Sequence, residues 1–422
     1  MTHISNMNTH QISPSIVKTK LKKTYLLIAG VALLLSTIEA GAEGVKSSDT
    51  AKPMRLRMKV LKTYSQPVIT EKTPGVEGVK GGYECGNTVK VMIDGQPEYH
   101  FFAWRMPELG WGYLGTDQLA SEDGFSWRRV GALTEMTFNE EKKKYIQSGP
   151  AQPFYDEQTK RWQLYYNQFE CTTVNWQSGS TLWCASSKVE GIKGIRGPWE
   201  FPGKQILFPG TSYPKESIVQ SISSPFQTKD GKWAVLVGGN GPPYQPKYGS
   251  WWVMVSTAPT PQGPYTFDEK HSPATMIDPT GGIENPTVTK VRGPLTGREY
   301  WVSTFDHLHP QPNNAIGFSW SEDGLNWPMA NGQIVVIDEG LAPGETGWWK
   351  GTIGTWSIRT PHQLIDEGDG TYTVFFTGST QLNYFTGFRN AGRLQVQLIE
   401  EPVPDVVPAK PEAQSQAAPQ VK

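Results

Sequence analysis

SEDGFSW at residues 121–127 returns two hundred residues later as SEDGLNW at 321–327. Asp-Gly makes a tight turn, and the tryptophan after it is placed to pack between neighbouring units. Looser versions of the same closing stretch occur at GPWEF (197–201) and STAPTPQGPYTF (256–267). Ahead of these edges lie aromatic-rich strands: YHFFAWR (99–105), WQLYYNQF (162–169), WAVLVGGN (233–240), YWVSTFDH (300–307) and YTVFFTGS (372–379). The steps between them are 63, 71, 67 and 72 residues. Ahead of each aromatic strand stands a first strand: ECGNTVKV (84–91), SGPAQPFYD (148–156), SISSPFQT (221–228), ENPTVTKV (284–291) and RTPHQLID (359–366). Five copies of one unit predict a closed ring, an all-β, five-bladed β-propeller whose first strands line a central channel.

Working outward, the composition suits that reading. Among 422 residues there are 44 Gly, 33 Pro and 16 Trp, and apolar residues alternate with polar ones in short runs, as in TVKVMIDGQPEYHFF. The N-terminus reads as a secretory signal over residues 1–42. Lys18, Lys20, Lys22 and Lys23 precede an uncharged run of 14 residues from Tyr25 to Ile38, too short to span a bilayer, and Ala40-Gly41-Ala42 is a small-x-small cleavage site. The expected destination is the periplasm or the medium, with no membrane attachment after cleavage. Residues 43–65 read as a leader, 66–400 as the ring, and the Pro/Ala/Gln-rich segment 401–422 as a disordered tail.

Without the signal the formal charge of −1 becomes about −4, which argues against nucleic acid as a partner. Cys171 and Cys184 flank a turn and, in an oxidising compartment, are expected to form a disulfide; Cys85 is left as a buried thiol. No Cys/His spacing matches a zinc site.

The first strands can be aligned on their own residues. Lys90-Val91 matches Lys290-Val291, which sets Glu84 opposite Glu284; aligning the others on proline gives Ser148, Ser223 and Arg359 at the same level. Two carboxyl groups at one mouth of the channel are what glycosidic cleavage needs: one protonated to help the leaving oxygen depart, one ionised to activate water or attack the anomeric carbon. Asp306 ends the fourth middle strand at the same mouth and is a further candidate. Arg105 and Arg359 suit a charged sugar, because a guanidinium fork matches carboxylate or sulfate oxygens; Arg359 can equally pair with Glu284 or Glu84. His307 and His309 follow Asp306 and read as subsite hydrogen-bonding residues, with His307 an alternative acid. Trp104, the Trp251-Trp252 pair and the Trp348-Trp349 pair are candidate sugar platforms, whereas the blade-edge tryptophans read as core. Glu170 reads as a loop carboxylate.

These blade edges, together with Ile283-Glu284-Asn285-Pro286 heading a strand followed by Tyr300-Trp301-Val302, resemble the five-bladed glycoside hydrolases: the arabinanase and xylosidase family 43, the fructosidase family 32 and the anhydrogalactosidase family 117. The resemblance implies Glu284 as general acid, Glu84 as base where an Asp is usual, and, through family 43, inversion at the anomeric carbon. Through family 117 it offers His307 as an acid. The third blade normally brings an Asp that tunes the acid. Here the aligned residue is Ser223, with Gln220 and Ser221 beside it, and Asp306 is the substitute on offer. The expected partner is a carbohydrate, an oligosaccharide or a polysaccharide side branch. No cofactor is required, and some relatives hold a structural ion in the channel. The competing reading is a sugar-binding propeller without hydrolysis, or a lyase.

Overall fold

The computed structural model describes residues 53–403, apart from 111, 113, 173–179, 243–250, 278–281, 308–313, 350–356 and 382–385. The signal segment, the tail beyond 403 and His309 lie outside the described residues.

Five antiparallel sheets follow one another along the chain, one for each repeat. The first blade pairs Tyr83–Ile93, Gln96–Arg105, Gly115–Ser121 and Trp127–Ala132 in sequence order. The second runs through Lys144–Asp156, Arg161–Cys171, Thr181–Glu190 and Trp199–Leu207. In blades three, four and five the inner strand comes in two pieces on one continuous middle strand: Ile218–Ile222 and Phe226–Gln227, Ile283–Glu284 and Thr289–Arg292, Ile358–Arg359 and Ile365–Asp366. Pro225, Pro286 and Pro361 stand in these gaps, where a residue without an N–H cannot continue a ladder.

The repeated SEDG turns are alike atom for atom. Gly124 N–H and Gly324 N–H each donate to the serine Oγ at 2.9 Å, and Asp123 Oδ1 and Asp323 Oδ1 each accept two backbone N–H bonds at 2.7–2.8 Å. Both glycines need positive φ, 73° and 82°. The following indoles, Trp127 and Trp327, donate to the glycine carbonyl at 3.1 Å and are buried. Trp127 meets Phe375 of the fifth blade edge to face, and Trp199 meets Phe102 of the first. Each blade-to-blade contact has its own apolar cluster, so the core is five wedges arranged around the channel. At the far end of the inner strands a cavity of ≈810 Å³ is lined from all five blades, Lys90, Tyr155, Gln227, Lys290 and Glu367 among the lining residues.

Two expectations are corrected. Residues 54–63, read as leader, form a strand paired with Arg389–Pro402 and supply the outer edge of the fifth blade. MRLRMKVLKT alternates buried Met54, Leu56, Met58 and Val60 with charged neighbours, the pattern of a half-buried strand. The ring therefore closes on a strand from the start of the chain. Cys171 and Cys184 are both free and buried. The hairpin register sets Cys184 opposite Tyr165, six residues along the strand from Cys171, and its thiol donates to Gln163 Oε1 at 3.3 Å. Among the described residues no helix is long and apolar enough to cross a membrane.

Candidate active site

Glu84, Glu284 and Arg359 end up side by side because of ring order. Blade five lies between blades four and one, so a side chain from its inner strand reaches both neighbours. Arg359 Nη2 pairs with Glu284 Oε2, its Nε donates to Asp306 Oδ2 at 3.0 Å, and the same Nε lies 3.9 Å from Glu84 Oε1. Strand pairing brings in the fourth member, since Glu284 stands directly opposite Asp306. All four side chains are almost out of solvent, at 0, 6, 4 and 3% exposure for Glu84, Glu284, Asp306 and Arg359. One guanidinium touching both glutamates keeps their facing oxygens within the roughly 9.5 Å that glycosidic chemistry tolerates.

Burial dominates the electrostatics of Glu284. Desolvation raises its carboxyl, Arg359 pulls against it, and the nearby Asp306 and Glu84 add to the rise, leaving it pushed up to about 7. Such a group is protonated in about half of the molecules at neutral pH, and the protonated form can release its proton to a leaving oxygen. Asp306 is instead held as an acceptor. Besides Arg359 it takes Asn285 Nδ2 at 2.8 Å and the Thr360 backbone N–H. Burial also drives the Cys85 thiol well above its ordinary range, helped by Glu84 and Asp306.

The residue after each of the three charged inner-strand side chains has a left-handed backbone: Cys85 at φ 54°, Asn285 at 51° and Thr360 at 47°. Non-glycine residues pay about 1–3 kcal/mol for such conformations and keep them where surrounding contacts impose them. In the first blade this residue is the extra one of a bulge between Glu84 and Gly86. Sequence reading missed all three. Only Asn285 carries a signal, since Asn tolerates positive φ better than most residues.

The other candidates lie elsewhere or differ in role. Side chains alternate along a strand, so Trp104 and Arg105 face opposite ways. Arg105 donates to Glu135 and to Leu114 O, and sits 3.6 Å from Asp117, which is bound by Arg129 and Tyr83. That cluster borders a separate cavity of ≈390 Å³. Trp104 is fully buried, edge to face with Phe169 between the first two blades, so it offers no ring face to a sugar. Trp348 stacks on Phe376, and Trp349 Nε1 donates to Asp338, which places that pair in the blade four–five core. Trp252 is buried, while Trp251 is partly exposed and its carbonyl accepts the N–H of Ile283. His307 pairs with Ile283 beside the cluster and is partly exposed. Glu170 pairs with Lys142 and Lys144 at the surface.

The third-blade assignment shifts. Ser223 is fully buried, and its Oγ is engaged by Leu236 N–H and Ser224 O within the sheet. Register on the middle strands puts Ser221 opposite Gly238, with Gln220 as an extra residue, at the level of Glu284 and Arg359. A Cβ at Gly238 would meet Ser221 Oγ at 2.3 Å, so a side chain there would require Ser221 to turn away. Gln220, Ser221 and Gly238 carry no carboxyl group, so Asp306 is the third acid of the cluster. Among the described residues no group of three or more His, Cys, Asp or Glu is disposed to hold a metal ion.

No family model and no curated protein matches this chain. Solved structures similar to it include a family 117 glycoside hydrolase from Zobellia galactanivorans, at 12% identity and TM-score 0.45, covering 82% of this chain and 90% of that one. A GH43 enzyme from Xanthomonas citri matches at 10% identity and TM-score 0.48, over 79% of this chain and 90% of the other. An exo-beta-1,3-galactanase from Clostridium thermocellum matches at 11% identity and TM-score 0.44, over 75% of this chain and 61% of that one. Likeness at this level concerns the course of the chain and says nothing about which side chains react.

Proposed function

We propose that this chain is an exported glycoside hydrolase, cleaving a glycosidic bond in an oligosaccharide or a polysaccharide side branch. The observation that carries the reading is the Glu284 carboxyl, buried and pushed up to about 7, facing a second glutamate across one shared arginine. In the reaction Glu284 gives its proton to the bridging oxygen as the bond from that oxygen to the anomeric carbon breaks. Glu84 takes a proton from water, whose oxygen forms the new bond to the same carbon. Asp306 fixes Arg359, and the arginine keeps the two glutamates in one field. His307 and Trp251, partly exposed beside the cluster, are assigned to sugar contact.

A second reading has its own observation. Glu84 exposes no surface and Arg359 already contacts all three acids, as a purely structural ion cluster would. A sugar-binding propeller would then work through the rim alone. One experiment separates them: incubate the mature protein with a panel of β-1,3-galacto-, arabino-, xylo- and agaro-oligosaccharides, and follow binding heat, new reducing ends and ultraviolet absorbance. New reducing ends without ultraviolet absorbance support the hydrolase. Binding heat without products supports the binder, and absorbing unsaturated products indicate a lyase.

A further inference from the structure

Seven described non-glycine residues have positive φ, and three of them directly follow Glu84, Glu284 and Arg359. Their polar atoms join three blades. The Cys85 N–H donates to Thr360 Oγ1 at 3.2 Å, and the Cys85 thiol faces Asn285 Oδ1 at 3.6 Å across the channel. Asn285 Nδ2 donates to Asp306 Oδ2 at 2.8 Å, and the Thr360 N–H donates to Asp306 Oδ1. Thr360 Oγ1 is itself steadied by Thr377 Oγ1 at 2.6 Å. Asn285 and Thr360 both donate to Asp306, Cys85 reaches it through those two, and Asp306 in turn holds Arg359 Nε.

We propose that Cys85, Asn285 and Thr360 are positioning residues for proton delivery at this site. They fix Asp306 as an acceptor, so that Arg359 stays shared between Asp306, Glu284 and Glu84 and is not drawn wholly to one of them. This rests on the glycosidase reading of the cluster. The left-handed turns have a use in this arrangement, because they bring a backbone N–H and an amide to the two oxygens of one carboxylate. None of the three touches the reacting atoms; each acts through Asp306.

The groups facing Glu284 are Arg359, Asp306 and Glu84, with the Cys85 thiol behind them. Asn285→Gly keeps the left-handed backbone at no steric cost and removes the amide. Asp306 then has one donor fewer and draws Arg359 toward itself, so Glu284 keeps its proton to higher pH. The probe is the infrared carbonyl band of the protonated carboxyl followed from pH 4 to 9 on the full chain, with Glu284→Gln identifying the band. In Asn285→Gly the midpoint rises by about half a unit or more. On the panel sugar cleaved fastest, kcat falls about tenfold while KM stays within about twofold. Asn285→Asp, which sets a second carboxyl against Asp306, moves the midpoint the same way and serves if the glycine variant does not fold. An unmoved midpoint in the folded variant overturns the proposal, as does a rise in KM with kcat unchanged. If Glu284→Gln retains full turnover, the glycosidase reading falls instead, and the infrared midpoint still decides the positioning role.

Discussion

Glu284 stands where two demands on a carboxyl meet. Burial and two neighbouring acids favour its proton, and Arg359 favours its charge. Because the folded value is raised above that of the free residue, its contribution to stability is complete below about pH 4.5 and disappears as pH climbs through about 7. The lost stability is on the order of 3 kcal/mol. Glu284→Gln cannot ionise, so it avoids this loss. Thermal melts from pH 4 to 8 are expected to show the melting temperature of the variant gaining on the parent as pH rises, mostly between 4.5 and 7. A constant difference across that range would mean that Glu284 is not held protonated. At this scale the sequence was readable where charge stood in register. Glu84, Glu284 and Arg359 came from aligned first strands and Asp306 from the end of its strand. Cys85 was legible as a buried thiol, but its left-handed turn and that of Thr360 were not, because nothing in their chemistry favours such a backbone.

The blade edge is the element with the clearest code. In SEDGFSW the aspartate organises the turn: burial works against its charge, but the N–H groups of Ser126 and Phe125 and the hydroxyls of Ser121 and Ser126 hold it at about 2. A lowered folded value means that its contribution is present above the ordinary carboxylate range and is lost as pH falls toward about 2. Asp123→Ala should cost about 1 kcal/mol at neutral pH, with the charged hydrogen bonds discounted for the exposure of the turn. Urea unfolding at pH 7 and at pH 2.5 is the check: the difference between variant and parent narrows in acid. The same logic shows why two elements were misread. The third first strand was aligned on Pro225, but Ser221, the residue level with Glu284, precedes that proline by four positions instead of two. The strand 54–63 was assigned to a leader although its alternation was present, because its partner is more than three hundred residues away and no local signal names it.

At the scale of the molecule, the ring accounts for the site. A five-fold arrangement sets blades one and four on either side of blade five, and an arginine from the fifth reaches glutamates from both. Repeat counting was enough to find this arrangement, since repeats report topology directly. Departures from the repeat were the harder part: a glycine where other blades carry side chains at the mouth, and an acid supplied by a middle strand. The central claim is that Glu284 donates the proton to the departing oxygen, and a comparison of leaving groups tests it most directly. A 2,4-dinitrophenyl glycoside leaves without protonation, whereas a sugar leaving group needs it. Turnover of both by the parent and by Glu284→Gln should show the variant slowed by about 10²–10⁴ on the oligosaccharide, with the dinitrophenyl substrate cleaved at nearly the parent rate. Equal losses on both substrates, or no loss on the oligosaccharide, would contradict it.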